Sequence, residues 1–254
     1  MKIISYNVNG IRAAVNKGLY QWLEKESPDV LCLQEIKATE DQIDLITIQS
    51  LGYHYYFHLA EKKGYSGVGI LTKRKPDNVK VGMGNDLYDK EGRFIRVDFG
   101  DMSIACVYIP SGSMGDLRQE FKMGFLEFFK DFVNKLRVEC PQLLICGDYN
   151  ICHKPIDINH PERHIKSSGF LPEERQWFDE FIDSGLIDTF REYDKTPEKY
   201  SWWSYRANAR QKNLGWRIDY HIITEEARHR LKGASILKEI TYSDHCPILV
   251  ELDI

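Results

Sequence analysis

Closely spaced cysteine pairs, long apolar runs and an excess of positive charge are all missing from this 254-residue chain, and each absence removes a class of function. The six cysteines, at positions 32, 106, 140, 146, 152 and 246, include no CxxC pair. That excludes a thiolate zinc site and a disulfide framework, and four of the six (Cys32, Cys106, Cys146 and Cys246) lie in or beside apolar, strand-like runs, as reduced packing residues do. No run approaches the roughly 20 apolar residues of a membrane helix, and Met1 to Tyr6 are too short for the apolar segment of a signal peptide. The expectation is a cytoplasmic protein with no membrane partner. Net charge is −4 and the isoelectric point about 6.1, so the chain as a whole exerts no attraction on nucleic acid. No repeat, low-complexity tract or linker divides it, and residues 1–254 read as one domain.

What is present is core and surface in ordinary proportion, with 43% hydrophobic and 28% charged residues. Strand-like runs recur at Lys2 to Tyr6, Val30 to Gln34, Tyr53 to Phe57, Gly67 to Thr72, Arg93 to Phe99, Ser103 to Ile109, Leu143 to Cys146, Ile218 to Ile223 and Pro247 to Leu252. Helical periodicity falls between them, which makes the class α/β. The clearest helix spans about Asp116 to Arg137, where Leu117, Phe121, Phe125, Phe128, Phe129, Phe132 and Leu136 recur at three- and four-residue steps and predict a core-facing stripe. A helix from about Ile11 to Lys25 is expected to break near Gly18, and Pro172 opens another over Glu173 to Ile182. Ile151 to Gly169 has no period and is rich in His, Lys, Arg and Asp, as a loop at the rim of a site would be.

Charge is also unevenly spread. From Lys199 through Arg217 the chain carries Lys199, Arg206, Arg210, Lys212 and Arg217 with no acid, interleaved with Trp202, Trp203, Tyr205 and Trp216. Cations mixed with large rings suit phosphate contact together with base or sugar packing, although a cationic stretch can equally be a solvated face.

Polar residues stand at one strand terminus after another. Asn7 and Asn9 follow KIISY, Glu35 follows VLCLQ, Tyr108 closes SIACVY, and Asp148 and Asn150 follow LLICG. Asp219 opens IDYHII, and Ser243, Asp244 and His245 immediately precede CPILVEL. In a sheet with antiparallel pairs the start of one strand lies beside the end of its neighbour, so these termini can share a rim. Glu35 with oxygen donors such as Asn7 or Asp244 suits Mg²⁺, which takes one or two carboxylates plus water and phosphate. His245, with Asp244 beside it and Asp219 within potential reach, suits an imidazolium next to a phosphate oxygen. Asp148 suits proton transfer from water, Asn150 its alignment, and Asn7 donation to a phosphoryl oxygen.

The strings SYNVNGIRA, LCLQEIK, GYSGVGIL, VYIPSG, ICGDYNICHKPID, SGFLPEERQWF, NARQKNLGWRIDYHI and YSDHCPI, in this order, resemble the exonuclease III-type AP endonucleases of the wider endonuclease, exonuclease and phosphatase superfamily. The resemblance covers essentially the whole chain. It implies a four-layer α/β sandwich, two mixed sheets packed face to face and flanked by helices. It implies Glu35 as a principal ligand of Mg²⁺ or Mn²⁺, with Asn7, Asp148, Asn150, Asp244 and His245 as metal or phosphate contacts. Asp148 is then the group acting on the nucleophilic water, Tyr108 an active-site hydroxyl, and Asp219 with His245 the support of the transition state. Trp202, Trp216 and Ile218 would line the pocket for a base-free sugar, with Arg210 and Lys212 approaching the DNA backbone. The implied activity is Mg²⁺-dependent cleavage 5′ to abasic sites in duplex DNA, with 3′ to 5′ exonuclease and 3′-phosphatase action on blocked 3′ ends, by a monomer.

The chain departs from the family pattern at three places. Ser111 and Ser167 stand where many members have asparagine, and Trp202 is bulkier than the ring often found there. The two serines would weaken or reshape a DNA contact without touching the metal chemistry, and the larger ring would narrow the sugar pocket and bear on the balance of endonuclease and exonuclease action. Two other readings compete: a phosphoesterase of the same fold acting on a small phosphoester, and a DNA-binding scaffold with a vestigial centre.

Overall fold

Runs such as VLCLQ and SIACVY are apolar at nearly every position, and a strand of that kind is satisfied only when both faces are covered. The computed structural model of the chain, which describes Met1 to Ile254, has these runs at the centre of two six-stranded sheets. The strands are β1 (Lys2–Asn7), β2 (Val30–Gln34), β3 (His54–His58), β4 (Val68–Thr72), β5 (Asn78–Val81), β6 (Phe94–Phe99), β7 (Met102–Tyr108), β8 (Gln142–Asp148), β9 (Leu186–Asp188), β10 (Asp219–Thr224), β11 (Leu231–Ile236) and β12 (Ile248–Leu252). One sheet has the order β11-β12-β1-β2-β4-β3 and the other β5-β6-β7-β8-β10-β9. Each is mixed: β1 pairs with β2 in parallel and β7 with β8 in parallel, while the remaining pairs are antiparallel.

The helices are α1 (Ile11–Asn16), α2 (Leu19–Glu26), α3 (Leu45–Ser50), α4 (Asp86–Asp89), α5 (Asp116–Glu139), α6 (Pro172–Asp183) and α7 (Thr189–Tyr193). Three apolar clusters separate four layers. Ile4, Leu31 and Leu33 face Ile11, Leu19, Leu23 and Ile48 of the first helical layer. Ile3, Cys32 and Ile70 meet Val97, Ile104, Cys106 and Cys146 between the sheets. Val107 and Ile145 pack on Phe125, Phe129 and Phe178 of α5 and α6. The expected four-layer sandwich is thus the observed one. All six cysteines are free, and five are buried, as packing residues should be.

The helix expected over 11–25 does break at Gly18, whose φ of +111° no other residue adopts without strain. The stripe on α5 is correct for Phe125, Phe129 and Leu136 but not for Leu117, which lies in the first turn and is 84% exposed. Residue 122, a lysine, occupies that buried face instead. Three strands had no signal in the sequence: β5 and β11 are partly exposed edges, and β9 has only three residues.

Candidate active site

The strand ends do converge. β7 and β8 run parallel in a register that sets Tyr108 beside Asp148, and β10 runs back against β8 with Asp219 directly opposite Asp148. Gly147 permits this closeness: a Cβ there would lie 1.9 Å from the carbonyl oxygen of Val107. In the other sheet Asn7 is level with Gln34, so Glu35 leaves its strand beside Asn7. The backbone then turns sharply. Glu35, Asn150 and Asn9 all have φ near +50° (52°, 52° and 44°), a region that costs a non-glycine residue roughly 1 to 2 kcal/mol and is found where a fold over-determines the position of a side chain.

Hydrogen bonds tie the two sheets together at this rim. The Nδ2 of Asn7 donates to Glu35 Oε1 and to Asp148 Oδ2, both at 2.8 Å. Asn150 closes over the same carboxylate, its backbone N–H donating to Asp148 Oδ1 at 2.8 Å and its amide to Oδ2 at 3.3 Å. His245 shares its Nδ1 hydrogen bond with Asp219 Oδ2 at 2.8 Å, and its Nε2 lies 3.9 Å from Asp148 Oδ2. Ser201 donates to the same Asp219 oxygen at 2.6 Å, fixing the carboxylate that orients the ring. Arg93, itself buried, donates to the carbonyl of Tyr108 at 2.8 Å and lies 4.8 Å from the centre of the phenol ring.

Electrostatically the centre is uncomfortable. Burial, then Asp219 and Glu35, push the Asp148 carboxyl well above the usual range, with His245 working against them. Burial would lower the imidazole of His245, but Asp219, Asp148 and Asp244 raise it well above its ordinary value and favour the charged ring. Burial, reinforced by Glu35, keeps the Tyr108 phenol protonated. Ligand atoms of Glu35, Asp148 and His245 all lie within 4.8 Å of one another, and two carboxylates bridged by one amide form a hard, oxygen-rich donor set that fits a divalent cation. His245, its Nδ1 engaged by Asp219, has only its Nε2 left to offer to that group. Asp244 lies outside that group: its oxygens accept from Asn9 at 2.9 Å and from the Trp202 indole at 3.0 Å. Asn7 likewise turns its NH₂, not its oxygen, toward the carboxylates, the oxygen accepting from the Asn9 N–H.

Above these groups lies a cavity of about 310 Å³, lined by Glu35, Tyr108, Asp148, Asn150, His245 and Asp244 at its base and by Trp202, Trp216 and Ile218 on one side. The two indoles meet edge to face at 5.9 Å between centroids, held by backbone pairing of Trp202 with Trp216. Ser111 lines the cavity and Ser168 and Gly169 complete its rim, whereas Ser167 stands just outside.

The cationic window divides. Lys212 and Arg206 are exposed beyond the cavity, but Arg217 is buried against Asp157 and Asp188, and Trp203 is core. Arg210 is committed inward: its guanidinium donates to the carbonyls of Lys238, Ile240 and Ser243, with a longer bond to His245, and stacks on Trp203. It therefore braces the Ser243 to His245 segment from behind. Sequence reasoning passed over Ser201, Arg93, Lys122 and Glu174; of these only Lys122 left a signal, as a charge on the apolar face of a helix.

A protein-family comparison matches residues 4–245 to the endonuclease/exonuclease/phosphatase family. The chain is 39% identical to an exodeoxyribonuclease of Bacillus subtilis, with all of both chains covered. It is 38% identical to a DNA-(apurinic or apyrimidinic site) endonuclease of Dictyostelium discoideum, covering 100% of this chain and 71% of that protein. Among solved structures, a 3′ phosphatase from Neisseria bound to a product DNA hairpin superposes with a TM-score of 0.92 at 27% identity, both chains being fully covered.

Proposed function

The chain belongs to the endonuclease/exonuclease/phosphatase family, and from that premise we propose that it is a DNA-repair hydrolase that uses a divalent cation, Mg²⁺ or Mn²⁺, to cut duplex DNA 5′ to abasic sites and to clear blocked 3′ ends. The observation that carries this reading is the clustering of Glu35, Asp148 and His245 at the base of a cavity walled by Trp202, Trp216 and Ile218. A small phosphoester would have no use for two indoles beside the reacting groups, whereas a sugar without its base leaves a flat, apolar void that rings fill. The full-length similarity to exodeoxyribonuclease and abasic-site endonuclease supports the same choice.

In this reading Glu35, with Asp148 beside it, holds the cation, which when bound supplies positive charge to a phosphate oxygen. Asp148 accepts the proton of the attacking water, the Nδ1 of His245 being taken up by its bond to Asp219. Asn150 and Asn7, each donating to Asp148, hold its carboxylate toward the water. His245 presents its free Nε2–H to a phosphoryl oxygen, and the protonated Tyr108 donates to the phosphate or to the leaving oxygen. Lys212 approaches the DNA backbone. Trp202, bulky and tethered to Asp244, narrows the sugar pocket. The protein acts as a cytoplasmic monomer, all these groups coming from one chain.

The test is incision of a duplex carrying one abasic analogue. A nick 5′ to the analogue, leaving a 3′-hydroxyl and appearing only with Mg²⁺ or Mn²⁺, is expected. No incision at enzyme excess with either cation would rule the reading out.

A further inference from the structure

Lys122 lies within α5, the helix of phenylalanines, yet is fully buried on the same face as Phe125, Leu126 and Phe129. Its ammonium donates to the carbonyl oxygen of Asn150 at 2.8 Å and pairs with Glu174 at 2.5 Å, and Glu174 is equally shut off from solvent. Glu174 in turn accepts from the backbone N–H of Gly169 at 2.6 Å and of Leu171 at 3.0 Å, and from Gln119 at 3.0 Å. Gln119 accepts from the hydroxyl of Ser168 at 2.7 Å. One buried ion pair is therefore bonded on one side to the end of β8 and on the other to the Ser168–Gly169 turn at the cavity rim.

Stability does not account for this pair. Replacing a buried ion pair by apolar side chains of similar volume is commonly neutral or stabilising, because two charges must otherwise be stripped of water. A methionine at 122 and a glutamine at 174 would fill the same space. What such residues could not supply is a fixed donor at the carbonyl of Asn150, a peptide held in a left-handed conformation next to the reacting carboxylate. The turn is drawn in just as closely: with φ at +95°, Gly169 has no room for a side chain, since a Cβ would lie 2.9 Å from the Trp216 ring and 3.2 Å from that same Asn150 oxygen.

We propose that the Lys122–Glu174 pair is a positioning element for phosphodiester cleavage: it sets the Asn150 peptide so that the side-chain amide reaches Asp148, and it locks the Ser168–Gly169 wall to the same point. The inference rests on the reading of Asp148 and Asn150 as the reacting end of the cavity. A displacement of about 1 Å at such a group can lower a rate by roughly 100-fold without contact to substrate.

The test compares the wild-type chain, the double variant Lys122→Met with Glu174→Gln, and Lys122→Arg, each full length with Mg²⁺ on the abasic duplex. Single-turnover rate, DNA dissociation constant and thermal midpoint are measured for all three. The double variant is expected to stay folded and bind DNA within about threefold of wild type while its rate falls by about 10- to 100-fold. Lys122→Arg, which retains a charged donor, should recover most of that rate. A folded double variant that cleaves at the wild-type rate would overturn the proposal and leave the pair as a plain tie between α5 and α6. Should the double variant fail to fold, Glu174→Gln alone decides at a temperature where it is fully folded: a slowed single-turnover rate with unchanged DNA affinity supports positioning, and an unchanged rate overturns it. Failure of the wild-type chain to incise would instead sink the functional reading, so the two failures are told apart.

Discussion

Asp148, the last residue of β8, and Asp157, nine residues beyond it, are both buried, yet their surroundings are opposite. Around Asp157 the neighbours are cations: burial alone would raise its carboxyl, but Arg217 at 2.8 Å and Arg191 at 2.6 Å hold it down at about 2. Around Asp148 burial is joined by Asp219 and Glu35, and the carboxyl rises. The first arrangement is settled by its own partners. The second is left unsettled until something positive arrives, which is the mark of a site rather than a staple. The two share a wall, for Arg217 turns to Asp157 while its neighbours Trp216 and Ile218 turn to the cavity. A wider cleft, of about 440 Å³, opens on the staple side, and the charges of Asp157, Asp188, Arg191 and Arg217 along it are already matched to one another. Of these two hollows the larger is not the reacting one.

The contrast can be broken experimentally. Largest in effect, Glu35→Gln should lower the incision rate by about 100- to 1,000-fold in Mg²⁺ while DNA affinity changes only a few-fold, and chelation should silence the wild-type chain. Retention of activity after either treatment would separate the acidic cluster from catalysis. Asp157→Asn should do the reverse, reducing stability to urea by about 3 kcal/mol because the buried Arg217 and the half-buried Arg191 each lose a carboxylate partner, with the rate per folded molecule nearly unchanged. A rate loss matching that of Glu35→Gln would erase the distinction.

A smaller effect follows from the depressed carboxyl of Asp157. Its folded value lies below that of the unfolded chain, so its contribution is complete above about pH 4 and is lost as pH falls toward 2, roughly 2 kcal/mol in all. Stability of the wild-type chain should therefore fall more steeply across that window than that of Asp157→Asn; parallel curves would mean that the ion pairs do not persist in solution. Smallest of all, Lys212→Ala should weaken DNA binding and reduce its salt slope by about one, whereas Arg210→Ala should leave the slope alone and lower the melting temperature, its guanidinium being spent on backbone carbonyls. An unchanged slope for Lys212→Ala would put the DNA path elsewhere.

The sequence made the site's catalytic end readable and its supports mostly unreadable, for a physical reason. Asn7, Glu35, Asp148 and Asp219 stand at the ends of apolar runs, and a polar residue there is conspicuous from local context alone. The nine strand runs expected from the sequence are all strands, with ends shifted by a residue or two, because apolar runs dictate burial. Strands β5, β9 and β11 carry too little apolar character to announce themselves. The window from Lys199 to Arg217 misled for a different reason. Its five cations look alike in sequence, but the partners that make Arg217 a staple are 60 and 29 residues away, and the carbonyls that claim Arg210 belong to a later loop. Ser201, which fixes Asp219, has no local signature at all.

The most direct test of the contrast is the single-turnover incision rate of Asp148→Asn beside its affinity for abasic duplex DNA. The variant is isosteric and removes a charge that burial and Asp219 disfavour, so it should fold at least as well as wild type, bind DNA with similar affinity and cleave about 100- to 10,000-fold more slowly in saturating Mg²⁺. Cleavage at the wild-type rate by a well-folded Asp148→Asn protein would contradict the assignment of that strand end as the reacting centre.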